Sequence, residues 1–300
     1  MPREGMTITG MTTMGMTITT TIMGIPGTSM ATTIMAMRTI MITVTAMITV
    51  TITPITMTEP LPAFDMAAAE KPLAIAALQR LLAWLSPAFP VGAYSYSHGL
   101  EWAIEDGTVT TPADLQSWIA DVLRHGGGRS DAILFAAAWR AARAGDQRAL
   151  AEVAELAAAL QPSRERHLET TAQGRAFLDT VAATWPDARL AALATAFPAG
   201  TPIAYPVAVA MAAASEGVPL RPALAAFAGG FVANLVSAGV RAIPIGQTDG
   251  QRIIAALAPM VEELARFAEG ATPDDLGGAA LRADIASMKH ETQYTRLFRS

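Results

Sequence analysis

Histidine is the residue of this chain most able to bind a metal or move a proton at neutral pH. The four histidines, His98, His125, His167 and His290, are scattered along the 300 residues, and there is no cysteine. His98 and Glu101 form a close pair, since a spacing of i, i+3 would place both on one helix face, where they could hold a metal. Two ligands make a weak site, so a polar pair at a helix surface or interface is the simpler interpretation.

The sequence motifs of common catalytic sites are missing. The chain has no GxxxxGK[ST] phosphate loop, no HExxH motif and no GxSxG motif, and no GxGxxG follows a strand. The lack of cysteine excludes disulfides and thiolate chemistry and fits a reducing compartment. A net charge of −5 gives no general attraction to nucleic acid. These observations favour a protein that acts by binding rather than by catalysis.

Three polar segments carry residue types that packing alone does not require. SPAFPVGAYSYSHGLE (86–101) follows a proline-rich loop with tyrosines, serines and a histidine. IPIGQTDGQR (243–252) sets glycines around a polar turn at a helix start, where Thr248 or Asp249 could be the N-cap. SMKHETQYTRLFRS (287–300) combines aromatic, basic and apolar residues, the types that dominate protein interfaces.

The elements that must position these segments are helices. From Leu73 onward apolar residues recur with helical periodicity, which predicts an all-α, single helical-bundle domain. Residues 203–216 and 221–239 are apolar almost all round, which predicts the bundle centre; prolines and Glu216 interrupt every stretch long enough to span a membrane. About nine to ten helices are predicted, over residues 73–86, Ser95 or Ser97 to Asp106, 112–125, 131–144, 147–160, about 163–184, 203–216, 221–241, 248–269 and 279–290.

Residues 1–58 differ in composition from the domain that follows at residues 59–300. They hold 12 of the 16 methionines, with 19 threonines and 10 isoleucines, and their charges are Arg3, Glu4 and Arg38. The threonine and proline content argues against a membrane helix, and no compact leucine-rich segment follows a basic start as in a signal peptide. Alternating Thr and Ile could form strands. We expect a disordered, low-complexity arm without ligand or partner.

The arm has a second interpretation, as a mis-assigned start. Read one base earlier with C-rich wobble positions, its Met, Thr and Ile codons become Asp and His codons. Nineteen arginines against Lys71 and Lys289 indicate a GC-rich gene, for which such wobble is typical. The hypothesis is that residues 1–56 are an out-of-frame translation of a neighbouring gene's His/Asp-rich tail and that translation begins at Met57.

The three polar segments together resemble, in order and spacing, the signature segments of the urease accessory protein UreF family. The resemblance covers about residues 73–300 and omits the arm. It implies an all-α, cytoplasmic homodimer that is not an enzyme. Such a scaffold binds an accessory protein of the UreD/UreH type and recruits the GTPase UreG to insert nickel into apo-urease. The gene of a nickel chaperone with a His-rich tail commonly precedes that of UreF, which agrees with the out-of-frame hypothesis.

The resemblance also implies where partners bind. It places residues 290–299 and the GQTDGQ turn against the UreD/UreH-type protein, and Tyr94 to Glu101 near the dimer or GTPase-facing surface. It implies no cofactor, catalytic residue or metal site in this chain, since nickel is handled by the complex and GTP is bound by the partner, and no nucleic acid or membrane. The expected partner-binding residues are Tyr94, Ser95, Ser97, His98, Glu101, Gln247, Thr248, Asp249, Gln251, His290, Glu291, Gln293, Tyr294, Arg296, Leu297, Phe298 and Arg299.

Two other classes remain open from the residues alone. A small helical metal-binding or hydrolytic protein would use His98, Glu101 and another histidine. A membrane-associated helical protein would use the apolar segments at 203–241. The first would bind a metal tightly as an isolated monomer, and the second would need detergent to leave the membrane fraction.

Overall fold

The computed structural model describes residues 73–198 and 200–300, together with the backbone of residues 6–11 and 17–22. The chain divides into two units, Met1–Met66 and Ala67–Ser300. The predicted boundary at residues 58 and 59 lies outside the described residues. Within the second unit the described residues are helices, turns and loops, so the all-α prediction is confirmed there.

The first unit contains two short strands, β1 (Met6–Met11) and β2 (Thr17–Ile22). They pair antiparallel, with Met6 opposite Ile22 and Met11 opposite Thr17. Strands of this kind are what the alternation of Thr and Ile in the sequence allows. A two-stranded hairpin alone is at best marginally stable in water. The expectation of disorder for the rest of the arm, and the proposed start at Met57, fall outside the described residues.

The helices of the second unit match the predicted pattern, with one addition, the short segment Ala188–Ala194. Two 3₁₀ turns, Ala93–Ser95 and Pro273–Asp275, lie between helices. The α-helices are α1 (Ile75–Trp84), α2 (Leu100–Glu105), α3 (Pro112–His125), α4 (Gly127–Ala144), α5 (Gln147–Ala159), α6 (Arg164–Thr184), α7 (Ala188–Ala194), α8 (Tyr205–Ser215), α9 (Leu220–Ala242), α10 (Gln247–Gly270) and α11 (Leu281–His290).

Helix starts follow local sequence where a capping residue is present. Thr111 caps α3 and accepts a hydrogen bond from the Asp114 N–H, while Asp114 accepts from the Thr111 N–H, so both ends of this capping box are satisfied. Three starts differ from prediction. Helix α4 begins at Gly127, four residues before the predicted start at residue 131. Helix α2 begins after Gly99 rather than after a serine, and α10 is capped at Gly246, with Asp249 inside its first turn.

The bundle centre is α8, which packs against α4 and α6. Every residue of α8 from Pro206 to Ser215 is buried, as its apolar composition predicts. The sequence also predicted α9 at the bundle centre, and this was wrong in part. Only some of its residues are buried, against α4, α8 and α10. The prediction that prolines and Glu216 interrupt every stretch long enough to span a membrane was wrong for α9. Among the described residues this helix is long and apolar enough to cross a membrane, yet half of its most apolar stretch is buried in the bundle. This partial burial is typical of a core helix with one outward face.

Helices α2 and α11 make a close backbone contact that places the two outer polar segments side by side. Gly99 has φ +75°, in the left-handed region that glycine favours. A Cβ at this position would lie 2.6 Å from the Ser287 backbone nitrogen. The side chain of Ser287 in turn hydrogen-bonds the buried Ser163, which caps α6. The joint between α2, α6 and α11 therefore requires glycine at position 99.

Replacing Gly99 by alanine tests this joint against a matched glycine. Gly92 has φ +72° but an added Cβ would meet nothing within 4 Å. We expect Gly92→Ala to cost about 1 kcal/mol of unfolding free energy from backbone strain alone. Gly99→Ala adds a clash with the α11 backbone and should cost roughly 3 kcal/mol or more. Urea denaturation of both variants measures the difference, and equal losses would contradict the close approach.

Candidate functional site

The C-terminal tail, residues 291–300, folds back along the first polar segment. The Ser97 N–H donates to the Ser300 main-chain oxygen at 2.6 Å, and the Arg299 N–H donates to the Ser95 carbonyl at 2.7 Å. The Ser97 hydroxyl also donates to the Ser300 oxygen. Ser97 and Ser300 are buried. The structure thus joins two segments that lie about two hundred residues apart in sequence.

Glu101 is the main anchor of the tail. Its carboxylate accepts the Leu297 N–H at 2.5 Å and the Phe298 N–H at 2.9 Å. The Nε2 of His290 lies 2.9 Å from the same group. The side chain of Glu101 is only 11% exposed, so these three partners replace the water that an ionised carboxylate would otherwise bind.

His290 links the tail to α6. Its imidazole is fully buried, and its Nδ1 lies 2.6 Å from Glu165. The other oxygen of Glu165 accepts from the Arg296 guanidinium at 2.6 Å. We call His290, Glu101, Glu165 and Arg296 the His290 cluster. Its members come from α2, α6, α11 and the tail, so it holds four parts of the chain in one place.

A second group, the Glu169 cluster, consists of Glu169, Arg166, His98 and Ser300. Arg166 lies 2.5 Å from Glu169, the Nδ1 of His98 lies 2.8 Å away in a direction poor for a hydrogen bond, and the Ser300 hydroxyl donates at 2.7 Å. Burial alone would raise the pKa of Glu169, but Arg166, His98 and Ser300 outweigh it and lower the pKa to about 2. Burial and the neighbouring Arg166 lower the pKa of His98, which favours its neutral form.

An arginine from α9 holds the aromatic residues of both segments. The guanidinium carbon of Arg241 lies 3.7 Å from the Tyr94 ring centre and 4.4 Å from that of Phe298. Phe298 is buried, whereas Tyr94 is 66% exposed. Cation–π contacts of this kind contribute about 0.5–2 kcal/mol each, depending on solvent exposure. Arg241 therefore fixes the apolar part of the tail while leaving one face of Tyr94 in solvent.

Asp131 is a buried carboxyl beside the Glu169 cluster. It lines a cavity of about 130 Å³ that also borders His98, Arg166 and Glu169. Burial raises the pKa of Asp131 to about 6, although Arg166 acts in the opposite direction. The folded protein therefore binds a proton at Asp131 more tightly than the unfolded chain does.

The expected partner-binding residues divide by exposure. Most of those that hold the tail are inside the molecule and present no side chain to a partner while the tail is docked; Arg296 is an exception, with its side chain 39% exposed. Buried are Ser97, Glu101, His290, Gln293 and Phe298; Ser95, His98 and Asp249 are partly buried; exposed are Tyr94, Gln247, Thr248, Gln251, Glu291, Tyr294, Arg296, Leu297 and Arg299.

The GQTDGQ turn is separate from this arrangement in its polar contacts. Asp249 accepts from the Gly246 N–H at 3.4 Å and pairs with Arg252 at 2.8 Å. Both contacts are local to the start of α10. The turn is thus a helix start with exposed Gln247 and Thr248, and the tail is held by α2, α6 and α9 instead.

His98 and Glu101 do not form the metal-binding pair considered from their spacing. His98 has φ +58° and precedes the helix, which begins at Leu100, so the i, i+3 spacing does not place them on one helix face. His98 lies against Glu169 and the Phe231 ring, while Glu101 binds the tail. The described residues contain no group of three or more acidic or histidine side chains suited to a metal ion.

Sequence reasoning missed the contribution of α6. Glu165, Arg166 and Glu169 lie in RERHLE (164–169), and two acids at i, i+4 on one helix with a basic residue between them are usually interpreted as a solvated face. Here Glu165 pairs with His290 and Arg296, and Glu169 accepts hydrogen bonds from Arg166 and Ser300. The sequence did contain one signal. Ser163 is a helix-capping residue, so these acids had to lie in the first turns of α6.

Removing the charge of Glu101 should loosen the tail. In Glu101→Gln one oxygen remains for the two tail N–H groups and the ion pair with His290 is lost. We expect the backbone amides of Leu297 and Phe298 to exchange hydrogen at least about tenfold faster. Glu105→Gln, an exposed acid on the same helix, is the control. Unchanged protection in Glu101→Gln would contradict the anchoring role.

Asp131 predicts a pH-dependent change in stability. Because its folded pKa is above the unfolded value, ionisation of Asp131 costs stability that grows as pH rises from about 4 to 6. Asp131→Asn mimics the protonated form and should raise the free energy of unfolding at pH 7.5 by roughly 1–3 kcal/mol, with a smaller gain at pH 5. Urea denaturation at both pH values measures this. The exposed Asp121→Asn should change it by under about 0.5 kcal/mol, and a loss of stability in Asp131→Asn would refute the assignment.

Comparison with known proteins identifies the family of the chain. The family model described as UreF matches residues 109–258, half of the chain. The chain is 52% identical over 246 residues to a urease accessory protein UreF from Bradyrhizobium diazoefficiens, covering 82% of this chain and 99% of the relative. It is 55% identical over 225 residues to that of Rhodopseudomonas palustris strain HaA2, covering 75% of this chain and 94% of the relative.

A third relative extends the range of organisms. The urease accessory protein UreF of Xanthobacter autotrophicus is 57% identical over 220 residues, which cover 73% of this chain and 90% of the relative. Identity at this level over most of each relative far exceeds what a shared fold alone requires. The chain belongs to the UreF family of urease accessory proteins.

Proposed function

We propose that the protein is a non-catalytic, cytoplasmic scaffold of urease maturation. In this proposal it binds a UreD/UreH-type accessory protein, and the complex recruits the GTPase UreG and delivers nickel to apo-urease. Membership of the UreF family supports a role in urease maturation, since the relatives are named urease accessory proteins. The observation that carries the proposal is the docked tail, because its buried anchors leave a defined apolar and basic surface facing outward.

The exposed side chains of α11 and the tail support a protein partner. Leu281, Ile285 and Met288 are 65%, 53% and 50% exposed, and their i, i+4, i+7 spacing places them on one face of α11. Tyr294 and Leu297 follow in the tail at 102% and 63% exposure. Exposed apolar surface of this extent is typical of protein interaction sites. Tyrosine anchors are frequent among residues that dominate binding energy.

The charge of this surface indicates the character of the partner. Residues 281–300 carry four basic side chains, Arg282, Lys289, Arg296 and Arg299, against two acidic ones, Asp284 and Glu291. The whole chain has a net charge of −5, so this segment is positive within an acidic protein. Charge complementarity favours a partner whose contact surface is apolar with an acidic rim.

Self-association is part of the proposal. The outward face of α9 contains small residues, including Gly229, where an added Cβ would meet nothing within 4 Å. A helix with an apolar, small-residue face allows close approach of a second helix. We propose this face as the contact between two copies, with Tyr94 beside it through Arg241. Light scattering of the purified chain should then give the mass of a dimer.

Truncation of two exposed side chains tests the partner surface. Tyr294→Ala with Leu297→Ala leaves every anchor of the tail in place, because Leu297 contacts Glu101 through its backbone N–H. We expect the affinity for a co-expressed UreD/UreH-type protein to fall at least about 30-fold, as loss of a single 2 kcal/mol hot spot would give.

The control is Leu82→Ala, which removes an equally exposed leucine, 65% exposed, from α1. Affinities are measured by co-purification followed by titration of the purified components. Unchanged affinity in the tail variant, or an equal loss in the control, would contradict the proposed surface.

A further inference from the structure

The cavity beside the Glu169 cluster has in its wall a carboxyl group that lacks a donor. Asp131 is 7% exposed and lines this cavity of about 130 Å³. No group in residues 73–198 or 200–300 donates a hydrogen bond to its carboxyl, which burial and nearby charges alone affect. Buried polar groups almost always have hydrogen-bond partners, and a buried charge without one is costly. The carboxyl is therefore positioned to bind something that enters the cavity.

The charges around the cavity balance except for that of Asp131. Arg166 lies 2.5 Å from Glu169, so these two charges offset each other. Burial and the neighbouring Arg166 lower the pKa of His98, so its neutral ring adds no positive charge. Arg166 also attracts the Asp131 carboxylate, but burial outweighs this attraction. An ionised Asp131 thus leaves one negative charge in excess, which favours a ligand that is a cation.

Aromatic rings form much of the remaining wall of the cavity. Tyr205, Phe227 and Phe231 line its interior. The Tyr205 and Phe227 ring centres are 5.7 Å apart, and the His98 ring meets Phe231 edge-on at 4.8 Å. Aromatic rings attract a desolvated cation and also accommodate an alkyl chain. Because the described residues offer no group of three or more acidic or histidine ligands, this wall suits an organic cation rather than a metal ion.

The size of the cavity limits the ligand. A protein cavity of about 150 Å³ holds benzene, so one of about 130 Å³ holds roughly five or six non-hydrogen atoms. Its lining includes the exposed Pro87, Tyr94 and Ser237, which connect it to solvent. An ammonium group has three donors and a guanidinium has five, so the ammonium needs fewer acceptors in so small a site.

We propose that this cavity binds an alkylammonium group of about four carbons, with the charge beside Asp131 and the alkyl chain against the aromatic wall. The group supplies the donors that the Asp131 carboxylate lacks, in charge-assisted hydrogen bonds. It comes either from a free small amine or from a lysine of a second copy, since Asn234 and Ser237 place the opening on α9. The inference does not depend on the role proposed in urease maturation.

The probe is n-butylammonium, which has the alkyl chain and charge of a lysine side chain. Its binding to the full chain is measured by saturation-transfer NMR titration at pH 7.5. 1-Butanol is the neutral control of similar size. We expect saturable binding of n-butylammonium and at least about tenfold weaker binding of 1-butanol, because the alcohol lacks the charge that pairs with Asp131.

The variant Asp131→Asn tests the carboxylate. It keeps the size of the side chain and removes the charge, so the affinity for n-butylammonium should fall at least about tenfold. The variant is expected to be more stable than the parent, so a loss of binding would not reflect unfolding. Asp121→Asn, which changes an exposed acid of α3, should leave the affinity unchanged.

The pH dependence gives a second readout of the same group. Asp131, with a pKa raised to about 6, is mostly ionised at pH 7.5 and mostly protonated at pH 5, so the affinity should fall about tenfold between them. Glu169, with a pKa of about 2, stays ionised in this range, and His98, whose pKa is lowered, stays mostly neutral. Arg166 and the probe keep their positive charges. The change therefore reports Asp131 itself.

The source of the ammonium group is decided by protein concentration. The chain has two lysines, Lys71 and Lys289. If a second copy supplies the group, the probe should bind more weakly at high protein concentration than at low, and Lys71→Gln with Lys289→Gln should remove the difference. If the ligand is a free amine, the affinity should be the same at both concentrations. Either result supports the site.

Three outcomes would overturn the proposal. They are the absence of saturable n-butylammonium binding, as expected if the cavity holds water only, equal binding of 1-butanol, and unchanged affinity in Asp131→Asn. An affinity for the UreD/UreH-type protein that depends on the tail would stand in each case, because the tail variants test that surface separately.

Discussion

Two buried carboxylates constrain the C-terminal part of the molecule. An ionised carboxylate removed from water must recover its hydrogen bonds inside the protein, and losing a partner from a buried ion pair costs about 3–5 kcal/mol. Glu101 recovers three bonds, all from His290 and the tail. Glu169 recovers its bonds from Arg166 and Gln173 of α6 and from Ser300, with His98 close by. The tail therefore supplies hydrogen bonds that the buried carboxylates of the helical domain require, and these carboxylates in turn anchor the tail.

This mutual dependence explains the design of the surrounding elements. Gly99 lets α2 approach α11 closely enough for Glu101 to reach His290. Arg241 sits against Phe298, so the apolar end of the tail is held by α9. The backbone N–H groups of Leu297 and Phe298 are bound inside, while the side chains of Tyr294 and Leu297 point outward. A short irregular segment can thereby act as a defined surface, which a frayed terminus could not.

Periodicity predicted most of the fold because each helix buries a stripe or, for α8, its whole surface. Capping chemistry placed the start of α3, since Thr111, Pro112 and Asp114 act within one turn. It failed at α2 and α10, where glycines cap the helices. The Ser97 hydroxyl donates to Ser300 instead, and Asp249 accepts from the Gly246 N–H from within the first turn of α10. The spacing of His98 and Glu101 also misled, because the left-handed backbone at His98 lies before the helix.

Composition and local pattern by themselves determined the all-α class, the central helix α8, the distinct character of residues 1–58 and the three polar segments of the family. These properties depend on residues close together in sequence, so periodicity and motifs record them. Only the tertiary structure decided which polar residues are buried anchors and which are exposed. His290, Glu101 and Glu165 are separated by up to 189 residues, and their chemistry exists only because Gly99 allows α2 and α11 to meet beside α6. A carboxylate's role follows from its neighbours in space, which the order of residues does not state.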